Sequence, residues 1–257
     1  MKKLFDQTFL LNDKTRISAL DGVRGFSVIF VLFFHYNPSS FHFLYGGHMG
    51  VDIFFVLSGY FIASILFNPN KINPDYIKNR FLRLMPAYTI SLLIIWLLHY
   101  NISNSYKGFI ANIFFIPFFT KKIEYMNFVS WTLAWEWVFY FIAFILFKIN
   151  KLFNFKYFYV LIISILLLPT MYINVFYKDY ETYRFVGFYL GCLIYLLNLK
   201  YKNSFLQYIS FAIILLQIFM YGYFNESLMT GTFKILYYII FYITVSIFLI
   251  TLLHQET

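Results

Sequence analysis

Residues 21–36 read DGVRGFSVIFVLFFHY. An apolar run, unbroken from Val28 to Phe34, has a charged turn with Asp21 and Arg24 at one end and an imidazole, His35, at the other. Crossing a bilayer takes a helix of roughly 20 mostly apolar residues, and the span around this stretch, about 19–36, approaches that length. Ionisable groups inside such a span are costly and mark function by default. Arg24 and His35 are eleven residues apart. On an α-helix that spacing returns them to within about 20° of one face, about 16 Å apart along the axis. One face therefore carries a guanidinium at one depth and an imidazole at another. Each also has a bland reading taken singly: a snorkelling arginine, and a histidine bonded to a loop at the interface.

The rest of the chain has the same character. It is 61% hydrophobic, 25% aromatic and only 12% charged, where globular chains carry about 25% charged residues. So few charges cannot cover a water-facing surface. The fold class expected is an all-α, polytopic transmembrane helix bundle in contact with membrane lipids. Net charge is +9, which in a soluble protein would point to nucleic acid. Here the cations gather in short loops, so topology explains them and no nucleic-acid partner is expected. The single cysteine, Cys192, excludes an intramolecular disulfide. The N-terminal stretch is broken by Asp6, Asn12, Asp13 and Lys14 and does not read as a cleavable signal.

Eight full spans are expected, at about 19–36, 48–67, 84–100, 131–147, 157–176, 184–199, 204–222 and 233–253. The shorter stretch 108–119, which holds Pro117, is expected as a half-span that does not cross. With that arrangement fourteen of the twenty Lys and Arg fall on the side of the N-terminus. The positive-inside rule then puts both termini in the cytoplasm. Residues 1–257 are expected to form one transmembrane domain with no soluble domain, and no internal repeat stands out.

The polar outliers sort onto two depths. Asp52, in GGHMGVDIFFVLSGYFI (46–62), is expected level with His35 and bonded to it, since a carboxylate on one imidazole nitrogen raises basicity at the other. Helix capping is the bland alternative. Glu136, in SWTLAWEWVFYFI (130–142), is expected at the same outer level, where packing against Trp or Tyr donors would also hold it. Arg184 opens YRFVGFYLG (183–191) on that side as a counter-ion or substrate clamp. On the inner side, YIKNRFLRLMPAY (76–88) presents Arg80 and Arg83 three residues apart. They suit either lipid phosphates or the phosphates of a cytoplasmic ligand. The histidines His35, His42, His48, His99 and His254 show no metal-ligand spacing, so no metal is expected.

Together these stretches resemble the membrane-bound acyltransferase family 3, whose members O-acetylate bacterial surface glycans. The resemblance rests on ISALDGVRGFSVIFVLFFHY, GGHMGVDIFFVLSGYFI, KNRFLRLMPAY, WTLAWEWVFY and RFVGFYLG in that order, over about residues 15–195. It implies transfer of an acyl group, acetyl by default, from cytoplasmic acyl-CoA to a hydroxyl of a cell-surface or lipid-linked glycan. His35 and Arg24 fall at the family's essential pair, and Arg80 and Arg83 at its cytoplasmic arginine cluster. In this reading His35, Asp52 and Glu136 are catalytic, Arg24, Arg80 and Arg83 bind the donor, and Arg184 binds the acceptor. Asn79 departs from the family's paired basic residues, and the chain stops soon after His254, short of the family's late S-Y-x-x-Y-L-x-H-like helix. That shortness makes an inactive relative one alternative. A transporter with a His/Asp/Glu relay is another, although transporters usually carry internal repeats.

Overall fold

The computed structural model describes residues 18–36, 41–67, 75–98, 106–120, 122–127, 129–153, 185–228 and 231–256, and among these every regular element is helical. In chain order they are α1 (Ser18–His35), a 3₁₀ segment (His42–Met49), α2 (Gly50–Leu66), α3 (Tyr76–Leu98), α4 (Tyr106–Ile113), α5 (Ile116–Phe119), α6 (Ser130–Phe153), α7 (Phe185–Leu196), α8 (Ser204–Leu228) and α9 (Gly231–Leu252). Five stretches are long and apolar enough to cross a membrane: Ser18–His35, Leu44–Leu66, Tyr76–Leu98, Ser204–Phe224 and Phe233–Leu252. Ser130–Ile145 and Phe185–Leu196 are shorter apolar helices. These seven stand where spans were expected. The expected span 157–176 lies outside the described residues.

Two local outcomes differ from a simple reading of the sequence or refine it. Helix α3 begins at Tyr76 rather than near residue 84, and Pro86 lies inside it. A proline there removes one backbone bond without ending the helix, because the apolar run beyond it keeps the chain in lipid, where unbonded backbone is costlier than a kink. Arg80 and Arg83 are therefore helical residues. The stretch 108–119 breaks into α4 and α5 at Phe115, whose φ of 55° is left-handed. Eight and four residues are too few to span.

The chain forms two compact units, Met1–Phe61 with Val160–Thr257, and Ile62–Tyr159. In the first, α1, the 3₁₀ segment, α2, α7, α8 and α9 share an apolar core that includes Leu20, Met49, Val56, Ile218, Phe241 and Val245. Bare backbone makes the close approaches. A Cβ on Gly59 would strike the Phe188 carbonyl, and one on Gly191 the Val56 carbonyl, so α2 and α7 cross with almost no side chain between them. Small residues serve this purpose generally in membrane helices. Two buried serine hydroxyls are satisfied within their own helices: Ser27 donates to the Val23 carbonyl at 2.8 Å, and Ser246 to that of Tyr242 at 2.7 Å.

In the second unit, Asn112 organises the chain between α4 and α6. Its Nδ2 donates to the carbonyls of Gly108 (2.9 Å) and Glu124 (3.2 Å), and its Oδ1 accepts the N–H of Met126 (3.0 Å). Tyr88 on α3 donates to the Asn112 carbonyl at 2.8 Å and stacks its ring on Phe115 at 4.9 Å. The stretch 108–119 is thus pinned by a buried amide.

Candidate functional site

Helix α1 carries the first two site residues. Arg24 lays its guanidinium over the ring of Phe61, 4.1 Å from the centroid. Its Nη1 lies 3.6 Å from Asp21 Oδ1, and its side chain is 30% exposed. His35 ends the helix; it is exposed, with its ring against the edge of Phe34 at 5.1 Å.

Asp52 does not join His35. It is fully buried, and its Oδ1 accepts the hydroxyl of Tyr242 on α9 at 2.7 Å. The depth expected for it is wrong too. The 3₁₀ segment folds back along α1, placing Gly47 against Phe30 and Phe34, and Gly50 against Ser27 and Val31. By Asp52 the chain has descended to about the level of Ser27, some eight residues and about 12 Å below His35. A tight interhelical loop would have kept the two level. The returning 3₁₀ segment is what separates them.

Four residues before Asp52 sits a histidine that the sequence reading did not single out. His48 Nδ1 lies 2.7 Å from the Tyr45 carbonyl and its Nε2 2.8 Å from the Tyr238 hydroxyl. A carbonyl only accepts, so Nδ1 carries the proton and Nε2 accepts from Tyr238 in the neutral ring. Phe34 and Tyr221 pack on the imidazole at 5.4 and 4.7 Å. The signal for this was spacing: His48 is one turn from Asp52, as Tyr238 is from Tyr242, so two polar side chains per partner fall on one face.

Glu136 belongs to the second unit, beside the arginines rather than across the membrane from them. Its Oε1 accepts the Tyr140 hydroxyl at 2.7 Å. The Tyr140 ring centroid lies 5.3 Å from the Arg80 guanidinium, Tyr76 lies 5.7 Å from it on another side, and Phe81 meets Trp137 at 6.2 Å. The expectation that Glu136 and the arginine turn occupy opposite depths is therefore overturned. The cause is offset: α6 runs thirteen residues past Tyr140 to Phe153, about 20 Å. The start of α3 meets the middle of α6, not its far end. Arg80 is half-buried in this aromatic corner, and Arg83 is exposed. Arg184 lies outside the described residues.

Each unit thus seats an arginine on aromatic rings with a carboxylate near by, inside an all-helical integral membrane protein. The chain belongs to acyltransferase family 3: the family model described as an acyltransferase domain matches residues 17–256. It is similar to YrhL of Bacillus subtilis, 35% identical over 147 residues, which is 49% of this chain and 23% of YrhL. It is similar also to the O-acetyltransferase OatA of Staphylococcus aureus, 33% identical over 144 residues, 48% of this chain and 23% of that protein. The peptidoglycan O-acetyltransferase OatA of Listeria monocytogenes is 30% identical over 184 residues, 63% of this chain and 29% of that protein. The chain therefore matches less than a third of the length of these relatives. No solved structure matches significantly.

Proposed function

We propose that the protein transfers an acyl group, acetyl in the first instance, from cytoplasmic acyl-CoA to a hydroxyl of a cell-surface glycan in a bacterial cytoplasmic membrane, with both termini cytoplasmic. The observation that carries this reading is the family match from residue 17 to 256, which takes in the helix with Arg24 and His35. The names of two relatives, an O-acetyltransferase and a peptidoglycan O-acetyltransferase, support a glycan acceptor.

In this reading Arg24, Arg80 and Arg83 hold the phosphates of the donor, as guanidinium forks suit phosphate oxygens. The pantetheine arm covers the three helical turns from Arg24 to His35, about 16 Å. His35 takes the proton of the acceptor hydroxyl as that oxygen attacks the thioester carbonyl, and the CoA thiolate leaves. Arg184 serves the acceptor side. Asp52 and Glu136 are reassigned by their partners. Asp52 ties α2 to α9 through Tyr242, and Glu136 acts through Tyr140 on the arginine turn. The test is glycan acylation in cells that express the protein. His35→Ala abolishes it while protein amount stays normal; acylation at the wild-type level in that variant sinks the proposal.

A further inference from the structure

The 3₁₀ segment carries a stacked pair of rings at the His35 end of α1. His42 and Tyr45 lie 5.9 Å apart between centroids, with 19° between their planes. Both are exposed, Tyr45 by 43%. Phe34 meets the Tyr45 ring at 6.4 Å and the His35 ring at 5.1 Å, so one aromatic side chain touches both. We propose that His42 and Tyr45 are an acceptor-binding platform. One sugar ring of the glycan packs its C–H face on them, and a hydroxyl of the adjoining sugar then reaches His35. The inference rests on the glycan acceptor and on the role as base proposed for His35.

Three features carry it. The first is the chemistry of the surface. A sugar ring presents slightly positive C–H groups on its apolar face, and an aromatic face is negative. The Tyr45 hydroxyl and the His42 ring nitrogens add donors and acceptors for the sugar hydroxyls. Second, the segment is uncharged: from Tyr36 to Val51 there is no Lys, Arg, Asp or Glu. Phosphate recognition calls for guanidinium or ammonium groups, so these rings suit a sugar better than a nucleotide or a lipid headgroup. Third, the platform is fixed in advance. The Tyr45 carbonyl accepts the Nδ1–H of His48 at 2.7 Å, and His48 in turn meets the Tyr238 hydroxyl at 2.8 Å. The next two residues, Gly46 and Gly47, lie so close to the carbonyls of Ile218 and Phe30 that neither has room for a Cβ. The backbone under Tyr45 is therefore wedged between α1 and α8. A surface already in place loses less affinity to ordering when the ligand arrives.

Exposed aromatics also gather where a membrane protein meets the headgroup layer, and kinetics separate the two roles. The measurement is transfer from acetyl-CoA to soluble peptidoglycan strands, the acceptor in one relative's name, by the protein in nanodiscs. KM is taken for each substrate. Tyr45→Leu raises the KM for the strands about 3- to 10-fold, the range of one aromatic stacking contact, and leaves the KM for acetyl-CoA in place. Tyr45→Trp, which restores an aromatic face, stays near wild type. Should the leucine variant fail to accumulate, His42→Ala raises the same KM. A strand KM that does not move, or an equal rise in both KM values, overturns the inference. So does an effect confined to the amount of protein, which marks the rings as an interfacial belt facing lipid. Wild-type protein that acetylates no strands removes the glycan acceptor and the platform with it. Wild-type transfer with an unshifted strand KM in the variant removes the platform alone.

Discussion

Replacing Tyr242 by phenylalanine removes one oxygen atom from the core of the first unit, and the structure sets how much that should matter. The hydroxyl is the donor to a carboxyl group with no solvent exposure, at 2.7 Å. Hydrogen bonds between neutral groups inside membrane proteins average only about 0.6 kcal/mol. A bond to a charged group contributes about 1.5–3 kcal/mol. Full burial leaves neither group any water to turn to when its partner is removed, and an unsatisfied buried polar group costs about 1–3 kcal/mol. The expected coupling between Asp52 and Tyr242 is therefore about 2 kcal/mol. The measurement is a double-mutant cycle on wild type, Tyr242→Phe, Asp52→Ala and the double variant, by reversible unfolding in mixed micelles. A cycle is needed because each single change also alters packing, and only the difference isolates the pair. A coupling below about 0.5 kcal/mol would refute the reasoning and reduce Tyr242 to a core aromatic whose hydroxyl is incidental.

Two further outcomes follow from contacts with little room to adjust. Gly59→Ala drives a methyl group into the Phe188 carbonyl; overpacking of this kind costs about 1–3 kcal/mol, and the midpoint of unfolding should fall accordingly, whereas Gly25→Ala, where nothing lies near the new atom, should leave it in place or raise it. Asn112→Leu deletes three side-chain hydrogen bonds that pin residues 108, 124 and 126, at roughly 1 kcal/mol each. The solubilised variant should be cleaved at Lys122 by trypsin far faster than wild type, and an equal rate would show that the loop is held by other means.

The helices were legible because bilayer crossing demands long apolar runs, and Val28–Phe34 or Ile235–Ile250 can be little else. The arginine–histidine spacing of α1 was legible for the same reason, since one helix keeps its own register. Partners were not. Tyr242 is 190 residues from Asp52, and nothing in an aromatic-rich helix distinguishes that tyrosine from its neighbours until the fold brings it to a carboxyl. The depth of Glu136 failed on a different point. Placing the arginine turn at the opposite depth assumes that the start of α3 meets the far end of α6, and it meets the middle. Asp52 failed because the sequence HFLYGGHM looks like a loop, while its glycines let it lie against Phe30 as a 3₁₀ segment that uses up depth.

The two tyrosine bonds to the second helix have a consequence for how the chain threads its membrane. His48 meets Tyr238 and Asp52 meets Tyr242, each pair separated by the same 190 residues. A constant difference, rather than a constant sum, means that a step along α2 is matched by a step the same way along α9. The two helices are parallel. Helices that cross a bilayer in the same direction begin on the same side. A pair of hydrogen bonds thus sets the far end of α9 on the same side as the end of α1 that carries Arg24.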